Sequence, residues 1–336
     1  MPSPTADQVT GSVLGLALGD ALGAVVEAHP PEDARRYVET VLRPGAIPSR
    51  GREGYPFGQV TDDTQLTREL LQSIVDGAGF EPARFAGRLL NFVATGRLVG
   101  GGPAALAAAR QLAQGSPWHE AGLPAPYAGN GAAMRAGPLG LLFGADSRIL
   151  RQVVVEQARV THQDPRCAAG ALAIAGAARI AARREPIRPA DFLVELSALV
   201  ESLEPGVAAI LGEMTTWAEL SPGAAAQLLR EREIELEDPQ PWQGISSFVT
   251  NSVCWSLYAV LQCPDSYWDA VCLAIQVGGD TDTLAAMTGS ILGGRLGAAA
   301  LPGDFCDHLT DQGAWNADDL ARLARECHAR LTPRDE

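Results

Sequence analysis

Two short segments of this sequence combine acidic and hydroxyl side chains at a spacing suited to binding a hard metal ion. The first is Thr61-Asp62-Asp63-Thr64 and the second is Asp280-Thr281-Asp282-Thr283. Strongly apolar sequence with helical periodicity follows each of them, which predicts that a helix begins at each segment. Helix capping would explain one such segment, because Thr and Asp accept hydrogen bonds from the first amides of a helix. Together the two segments supply four carboxylates and four hydroxyls, which is more than capping requires.

The chemistry of these donors indicates which ions they would bind. If both helix starts face one cavity, the four carboxylates converge and repel one another unless cations neutralise them. Carboxylate, hydroxyl and water oxygens are the ligands of Mg²⁺ or Mn²⁺, and neither segment contains a soft ligand for zinc or copper. Two such ions about 3.5–4 Å apart form a common hydrolytic arrangement. Residue chemistry alone therefore predicts a site for two hard cations and leaves a two-metal phosphohydrolase open.

Acidic residues of the first predicted helix are a further candidate. Asp20 and Glu27 are separated by seven positions, so they share a helix face if that helix continues past Gly23. In the functional interpretation Glu27 lies at the mouth of the acidic site and acts as acid, base or water-orienting group. In the alternative interpretation Asp20 caps the end of its helix and Glu27 is an exposed surface residue.

Three other segments are candidates for binding an anionic ligand. Gly129-Asn130-Gly131 and Gly100-Gly101-Gly102 each precede a predicted helix. Glycine lets a backbone approach a ligand closely, and a helix start offers free N–H groups to an anion. Both patterns also occur in ordinary turns. The third segment is Thr161-His162, at another predicted helix entry, where His162 could contact a ligand or serve as a cap.

Helical periodicity dominates the rest of the chain, and convincing alternating strand patterns are absent. Small residues recur every fourth position at Gly11, Gly15, Gly19 and Gly23, a spacing that predicts close contact between two helices. The predicted helices cover residues 8–26, 62–75, 82–93, 103–112, 132–142, 147–160, 165–182, 189–202, 206–219, 247–262, 266–277, 282–297 and 317–330. Between the first two of them, residues 30–58 are rich in Pro, Gly and Arg and are predicted to form a loop.

Composition limits the classes of function. The chain has 336 residues, 46% of them hydrophobic, and a formal net charge of −14, which argues against binding nucleic acid. An anionic ligand would need a local device, such as a metal ion or a helix N-terminus. Six cysteines without a CxxC pair indicate reduced thiols and a cytoplasmic setting. The absence of an apolar run of about 18 residues argues against a membrane span.

The domain prediction is one unit over residues 1–336, with a core of about 8–300 and C-terminal helices at 301–330. The polar, Pro-bearing stretch at 231–243 is the only candidate boundary, and we interpret it as a surface excursion. We expect a monomer.

The motifs together resemble the ADP-ribosylglycohydrolase family, which includes dinitrogenase reductase-activating glycohydrolase and the metal-dependent ADP-ribosyl-acceptor hydrolases. The resemblance spans residues 11–297, and its motifs occur in family order. They are Gly19-Asp20-Ala21-Leu22-Gly23 with Glu27, Thr61-Asp62-Asp63-Thr64, Gly129-Asn130-Gly131 leading to Met134-Arg135, Thr161-His162, and Gly278-Gly279-Asp280-Thr281-Asp282-Thr283.

The resemblance implies an all-α orthogonal helical bundle and a metal-dependent hydrolase that cleaves the glycosidic bond between ADP-ribose and an acceptor. By position it implies metal ligands at Thr61, Asp62, Asp63, Asp280, Asp282 and Thr283, with Asp62, Asp282 and Glu27 in catalysis. It implies ADP-ribose contacts at Gly100, Gly101, Gly102, Gly129, Asn130, Gly131 and His162, and Tyr127 is the aromatic nearest the adenine position.

The acceptor is the least determined part of this prediction. ADP-ribosylated arginine is slightly favoured, and serine-linked ADP-ribose and O-acetyl-ADP-ribose are the alternatives. A non-catalytic ADP-ribose-binding or structural protein on the same scaffold is a further alternative, against which the intact acidic motifs argue.

Overall fold

The computed structural model describes residues 3–77, 79–232 and 243–332. These residues form sixteen α-helices, one π-helical turn and one 3-10 turn, and their only β-pairing is a few isolated bridges. The predicted all-α fold is therefore confirmed.

The helices are connected by loops, several of which reach the cavity described below. In chain order they are α1 (Ala6–Gly23), α2 (Pro31–Tyr37), α3 (Asp62–Val75), α4 (Pro82–Ala94), α5 (Pro103–Ala113), α6 (Gly137–Phe143), α7 (Ser147–Arg159), α8 (Pro165–Ala181), α9 (Pro189–Val200), α10 (Pro205–Trp217), α11 (Pro222–Glu231), α12 (Val249–Gln262), α13 (Tyr267–Ile275), α14 (Thr281–Leu296), α15 (Gly303–Cys306) and α16 (Ala317–Leu331).

Helix starts agree best with prediction where a capping residue or an N-terminal proline marks them. The starts of α3, α4, α5, α7, α8, α9 and α16 coincide with the predicted ones. Proline occupies the first turn of α4, α5, α8 and α9, where its missing N–H costs no hydrogen bond. Local sequence therefore specifies these boundaries.

Three helices were not predicted, and α6 begins five residues later than predicted. The segment predicted as a loop contains α2 and the π-helical turn Val38–Leu42, whereas α11 and α15 are short elements with few buried positions. Such short helices carry too little periodicity to stand out. The helix predicted from residue 132 begins at Gly137, because the amides of Ala133 and Met134 both donate to Asn130 O and form a turn. Most of the predicted surface excursion at 231–243 lies outside the described residues.

Helices α1 and α14 pack against each other with their backbones in close contact. A Cβ added to Gly15 would lie 2.3 Å from Gly289 O, and one added to Gly19 would lie 2.2 Å from Ala285 O. The two helices run antiparallel, since Gly11 meets Gly293 and Gly23 meets Thr281. The predicted small-residue contact face is thus observed. It brings the C-terminal end of α1 against the start of α14.

The first helix ends earlier than predicted. Its last residue is Gly23, whose carbonyl accepts a 2.8 Å hydrogen bond from the Thr281 hydroxyl. The Tyr37 hydroxyl donates to Leu22 O at 3.2 Å. The carbonyls of Leu22 and Gly23, which have no partner within the helix, are thus hydrogen-bonded to other segments, and α1 ends here. Glu27 therefore lies in a turn, and the expectation that Asp20 and Glu27 share a helix face is wrong.

The C-terminal helix belongs to the same packing. Helix α16 contacts α1 and α3, and its buried Cys327 donates to Leu71 O. One cluster of buried apolar side chains extends from Val9 to Cys327. All six cysteines are free thiols, as predicted. Within the part of the chain that the structure describes, the helices are too short or too polar to cross a bilayer.

Candidate active site

The starts of α3 and α14 meet at a cavity of about 680 Å³. They are joined directly, because Thr283 Oγ1 donates to Asp63 Oδ2 at 3.3 Å. Every predicted site residue except Thr61 lines this cavity. Thr61 lies behind the wall, where its hydroxyl donates to Asp20 at 2.9 Å and lies 3.3 Å from Asp63 Oδ2. Its role as a metal ligand stays a prediction.

Asp20 holds the start of α3 in place. It is fully buried, and Thr61 donates to it from the backbone amide at 3.0 Å and from the hydroxyl at 2.9 Å. Thr64 donates from its amide at 3.2 Å and from its hydroxyl at 2.5 Å. Asp20 thus caps the N-terminus of a different helix, and the suggestion that it caps its own helix is wrong. The four donors come from a segment far away in sequence, so no local pattern identifies them.

The carboxylates at the cavity are largely buried. Burial raises the pKa of Asp62 to about 8, and the charge of Asp282 adds to the shift. The same two causes raise the pKa of Asp63 and of Asp280 well above the ordinary value of an aspartate. A group of acids that resists ionisation in this way is stabilised by a cation placed among them.

One atom of this group lacks any protein partner. Asp63 Oδ2 lies 3.3 Å from the hydroxyls of Thr61 and Thr283, whereas Asp63 Oδ1 is buried without a hydrogen-bond partner. A buried, unpaired carboxylate oxygen is costly. Carboxylate oxygens of Glu27, Asp280 and Asp282 lie within 4.8 Å of one another nearby. These donors are hard oxygens, and they fit Mg²⁺ or Mn²⁺.

The Gly278-Gly279 pair shapes the start of α14. Both residues have positive φ, 72° and 85°, and a Cβ on Gly279 would lie 2.2 Å from Ile245 O. Larger residues do not fit there. The turn aims Asp280 into the cavity, where its Oδ2 accepts a 2.6 Å hydrogen bond from Asn130 Nδ2. Asn130 therefore connects the Gly129–Gly131 loop to the acidic cluster.

Glu27 reaches the acidic cluster from the turn after α1. The amide of Ala28, which has φ 63°, donates to Gly279 O at 2.8 Å and ties this turn to the start of α14. The Glu27 side chain is 20% exposed and forms an ion pair with Arg52. Arg52 Nη1 also lies 3.7 Å from Asp282 Oδ2. Arg52 was not predicted, because nothing distinguishes it from Arg50 within a basic loop.

The Gly100–Gly102 loop is attached to α3. The amide of Asp62 donates to Val99 O at 2.8 Å, and the amide of Val99 donates to Gln65 Oε1 at 2.9 Å. Gly100 has φ 75°, and Gly102 is the N-cap of α5. The first turn of α5 borders the cavity at Ala104 and Ala105. Since the first amides of a helix have no intrahelical partner, this wall suits an anion.

The opposite wall contains His162 and Tyr127. Their rings stack with centroids 5.8 Å apart and planes at 29°. His162 Nδ1 lies 2.8 Å from Thr161 Oγ1. Gly131 leaves room for the His162 ring, since a Cβ added to Gly131 would lie 3.0 Å from His162 Cε1. Burial, together with the positive charge of Arg135, lowers the pKa of His162 to about 3. The imidazole is therefore neutral.

Comparison with known proteins identifies the family. The family model described as ADP-ribosylglycohydrolase matches residues 1–336. The chain is 27% identical to human ADP-ribosylhydrolase ARH3, with 87% of this chain and 86% of that protein covered. It is 25% identical to ADP-ribosylarginine hydrolase Tri1 of Pseudomonas putida, with 100% of this chain and 81% of that protein covered. A solved ADP-ribosylglycohydrolase-related protein complex superposes with a TM-score of 0.66 at 26% identity, covering 97% of this chain and 99% of the other.

The chain belongs to the ADP-ribosylglycohydrolase family, as the motifs predicted. It is accordingly a hydrolase that acts on glycosyl bonds.

Proposed function

We propose that this protein hydrolyses the glycosidic bond between ADP-ribose and an arginine side chain, with two Mg²⁺ or Mn²⁺ ions in the acidic cluster. The observation that carries the proposal is that one cavity is lined both by the acidic starts of α3 and α14 and by the glycine-rich loops Gly100–Gly102 and Gly129–Gly131. Its volume of about 680 Å³ lies in the range of small-molecule sites.

The metal part of the proposal rests on the donors. Asp62, Asp63, Asp280, Asp282 and Thr283 line the cavity, and the buried Asp63 Oδ1 has no hydrogen-bond partner. Thr61 is a further ligand candidate behind them. When bound, divalent cations would neutralise these carboxylates and supply Lewis-acid stabilisation as the glycosidic bond breaks.

Glu27 is the group best placed to move a proton. Its carboxylate is partly exposed at the cavity and lies beside Asp282 and Asp280. In glycoside hydrolysis a carboxylate activates the attacking water or protonates the leaving group. Glu27 would perform one of these roles, and Asp62 and Asp282 would hold the cations beside the reacting ribose.

The ADP-ribose part would occupy the remaining walls. The Gly100–Gly102 loop and the start of α5 suit the diphosphate, and Gly129–Gly131 with His162 lets the ligand approach the backbone opposite. Tyr127, which lines the cavity, is the aromatic residue proposed to contact the adenine. In this way a protein of net charge −14 would bind an anionic ligand.

Arginine is favoured as acceptor because the acidic mouth of the cavity already accommodates a guanidinium. Arg52 pairs with Glu27 and lies 3.7 Å from Asp282. An acceptor guanidinium released from the anomeric carbon would meet the same carboxylates. The match over the whole chain to a protein named ADP-ribosylarginine hydrolase is consistent with this choice.

A panel of linked substrates tests the proposal. Purified protein is incubated with arginine-linked, serine-linked and O-acetyl ADP-ribose, with Mg²⁺, with Mn²⁺ and with EDTA. We expect release of ADP-ribose fastest from the arginine linkage and its loss in EDTA. Release from the serine or O-acetyl substrate alone would refute the acceptor, and full activity in EDTA would refute the metal requirement.

Arg52→Ala tests whether the internal guanidinium competes with the acceptor. We expect the KM for arginine-linked ADP-ribose to fall about two- to fivefold with kcat unchanged, because a partly exposed ion pair contributes ~0.5–1 kcal/mol. The KM for O-acetyl-ADP-ribose should stay constant. Arg50→Ala removes an exposed charge from the same loop and is the matched control. A higher KM in Arg52→Ala would mean that Arg52 binds substrate instead.

A further inference from the structure

The hydrogen bond between Thr161 and His162 has a definite direction. Arg135 Nη2 donates to Thr161 Oγ1 at 2.8 Å, and a guanidinium has donors only. The Thr161 hydroxyl proton is therefore free for another acceptor. His162 Nδ1 lies 2.8 Å away, whereas the competing Ala158 O lies at 3.5 Å. The shorter contact takes the proton, so Nδ1 is an acceptor.

A neutral imidazole carries one proton, and the bond at one ring nitrogen determines which nitrogen holds it. His162 is only 4% exposed and lies beside the guanidinium of Arg135, so its ring is neutral. With Nδ1 accepting from Thr161, the proton is on Nε2. The Nε2 edge lies on the side of Gly131, where an added Cβ would be 3.6 Å from Nε2, and both residues line the cavity.

Arg135 is itself held in place by Gln157. It is 1% exposed, and its Nε donates to Gln157 Oε1 at 2.6 Å while Nη2 donates to Gln157 O at 3.0 Å. Its Nη1 donates to Gly131 O. One guanidinium thus supports the Gly131 backbone and, through Thr161, the His162 ring. Both belong to the wall assigned to ADP-ribose.

We propose that Arg135 and Thr161 are positioning residues that hold His162 in its Nε2–H tautomer, so that His162 donates a hydrogen bond to an oxygen of the bound nucleotide sugar. The donor role rests on the proposed function, whereas the tautomer is a property of the free protein. A neutral His162 ring with its proton fixed on Nε2 can donate a hydrogen bond to a diphosphate or ribose oxygen without itself becoming charged. Arg135 ends one of the motifs that carry the family resemblance, and its contact with Thr161 becomes visible only in the structure.

Nitrogen NMR of ¹⁵N-histidine-labelled protein tests the tautomer. The chain has five histidines, and His162→Gln identifies the His162 signals by their loss. We expect the wild-type proton on Nε2 and an Nδ1 signal typical of a hydrogen-bond acceptor. In Thr161→Val the Nδ1 signal should move toward that of an unbonded nitrogen, and Thr161→Ser should restore it. A wild-type proton on Nδ1 overturns the proposal, and this result does not depend on either Thr161 variant.

Binding of free ADP-ribose tests the donor role. We expect Thr161→Val to weaken ADP-ribose binding about tenfold and Thr161→Ser to restore it, because a tenfold change in Kd corresponds to about one net hydrogen bond. Unchanged affinity in Thr161→Val overturns the positioning role. If the protein binds ADP-ribose with these differences yet releases it from no linked substrate, the proposed hydrolysis fails and the His162 assignment stands.

Discussion

Asp63→Asn is expected to lower turnover at least about 10²-fold while making the metal-free protein more resistant to heat. The loss of turnover follows because the substitution removes one negative charge and one unpaired oxygen from the proposed metal site. The gain in stability follows because Asn keeps an oxygen beside the Thr61 and Thr283 hydroxyls, as Asp63 Oδ2 does. Its amide group then faces the neighbouring carboxylates, which can accept hydrogen bonds from it.

The pH dependence of this gain follows from the direction of the pKa shift. Burial and the charge of Asp282 raise the pKa of Asp63 well above its value in the unfolded chain. An acid with a raised folded-state pKa costs no stability at pH values below its unfolded pKa, and it destabilises increasingly as pH rises toward its folded pKa. The excess melting temperature of Asp63→Asn should therefore be small at acidic pH and grow toward alkaline pH.

Thermal unfolding in EDTA and in Mg²⁺ checks both parts of this prediction. Wild-type protein should gain stability on adding Mg²⁺, because a ligand that binds only the folded state raises the unfolding midpoint. Asp63→Asn should gain much less. Asp191→Asn removes an exposed carboxylate from the first turn of α9 and should behave like wild type. Equal Mg²⁺ responses in Asp63→Asn and wild type would contradict a metal role for Asp63.

Local signals in the sequence account for much of the fold and of the acidic cluster. The boundaries of α3 and α8 follow from an N-cap residue and from an N-terminal proline, both readable from a few adjacent residues. The Gly278-Gly279 turn is equally local. From the sequence we could only state what would follow if the starts of α3 and α14 faced one cavity. The structure shows that they do, because Asp63 and Thr283 are in direct contact.

The roles that escaped prediction depend on contacts between distant segments. Asp20 caps α3 across 44 residues at Thr64, and Arg52 pairs with Glu27 across two intervening elements. Arg135 reaches Thr161 from the turn before α6. Each of these side chains has an ordinary local context, so only the assembled fold reveals its partner. Helix α2 was missed for another reason, since its seven residues bury only Ala34 and Tyr37.

The assembly of the site depends on the C-terminal end of α1. The last turns of this helix place Asp20 under the start of α3 and Gly23 against Thr281 at the start of α14. The separation of the two acidic helix starts is therefore set by how closely α1 and α14 pack. A displacement of about 1 Å in an active site can cost about 10²-fold in rate. The glycines of α1 are thus tied to the chemistry as well as to stability.

Gly15→Ala is expected to destabilise the protein by about 2–3 kcal/mol, because the added methyl group meets backbone that cannot rotate away. The new Cβ would lie 2.3 Å from Gly289 O and 3.2 Å from Gly293 Cα. The helices must separate, which also weakens the 2.8 Å hydrogen bond from the Tyr267 hydroxyl to Gly15 O. Chemical denaturation measures the loss in free energy of unfolding, and the activity of the folded fraction should fall as well.

Gly87→Ala is the matched control, since it makes the same substitution in the interior of α4 with nothing within 4 Å of the new Cβ. Alanine is a better helix former than glycine, so this variant should gain about 0.5–1 kcal/mol and keep full activity. The opposite signs separate steric conflict from helix propensity, because propensity alone would stabilise both variants. If Gly15→Ala were as stable as Gly87→Ala, the α1–α14 contact could widen freely. The spacing of the acidic helix starts would then have to be maintained by Asp20 and its four hydrogen bonds instead.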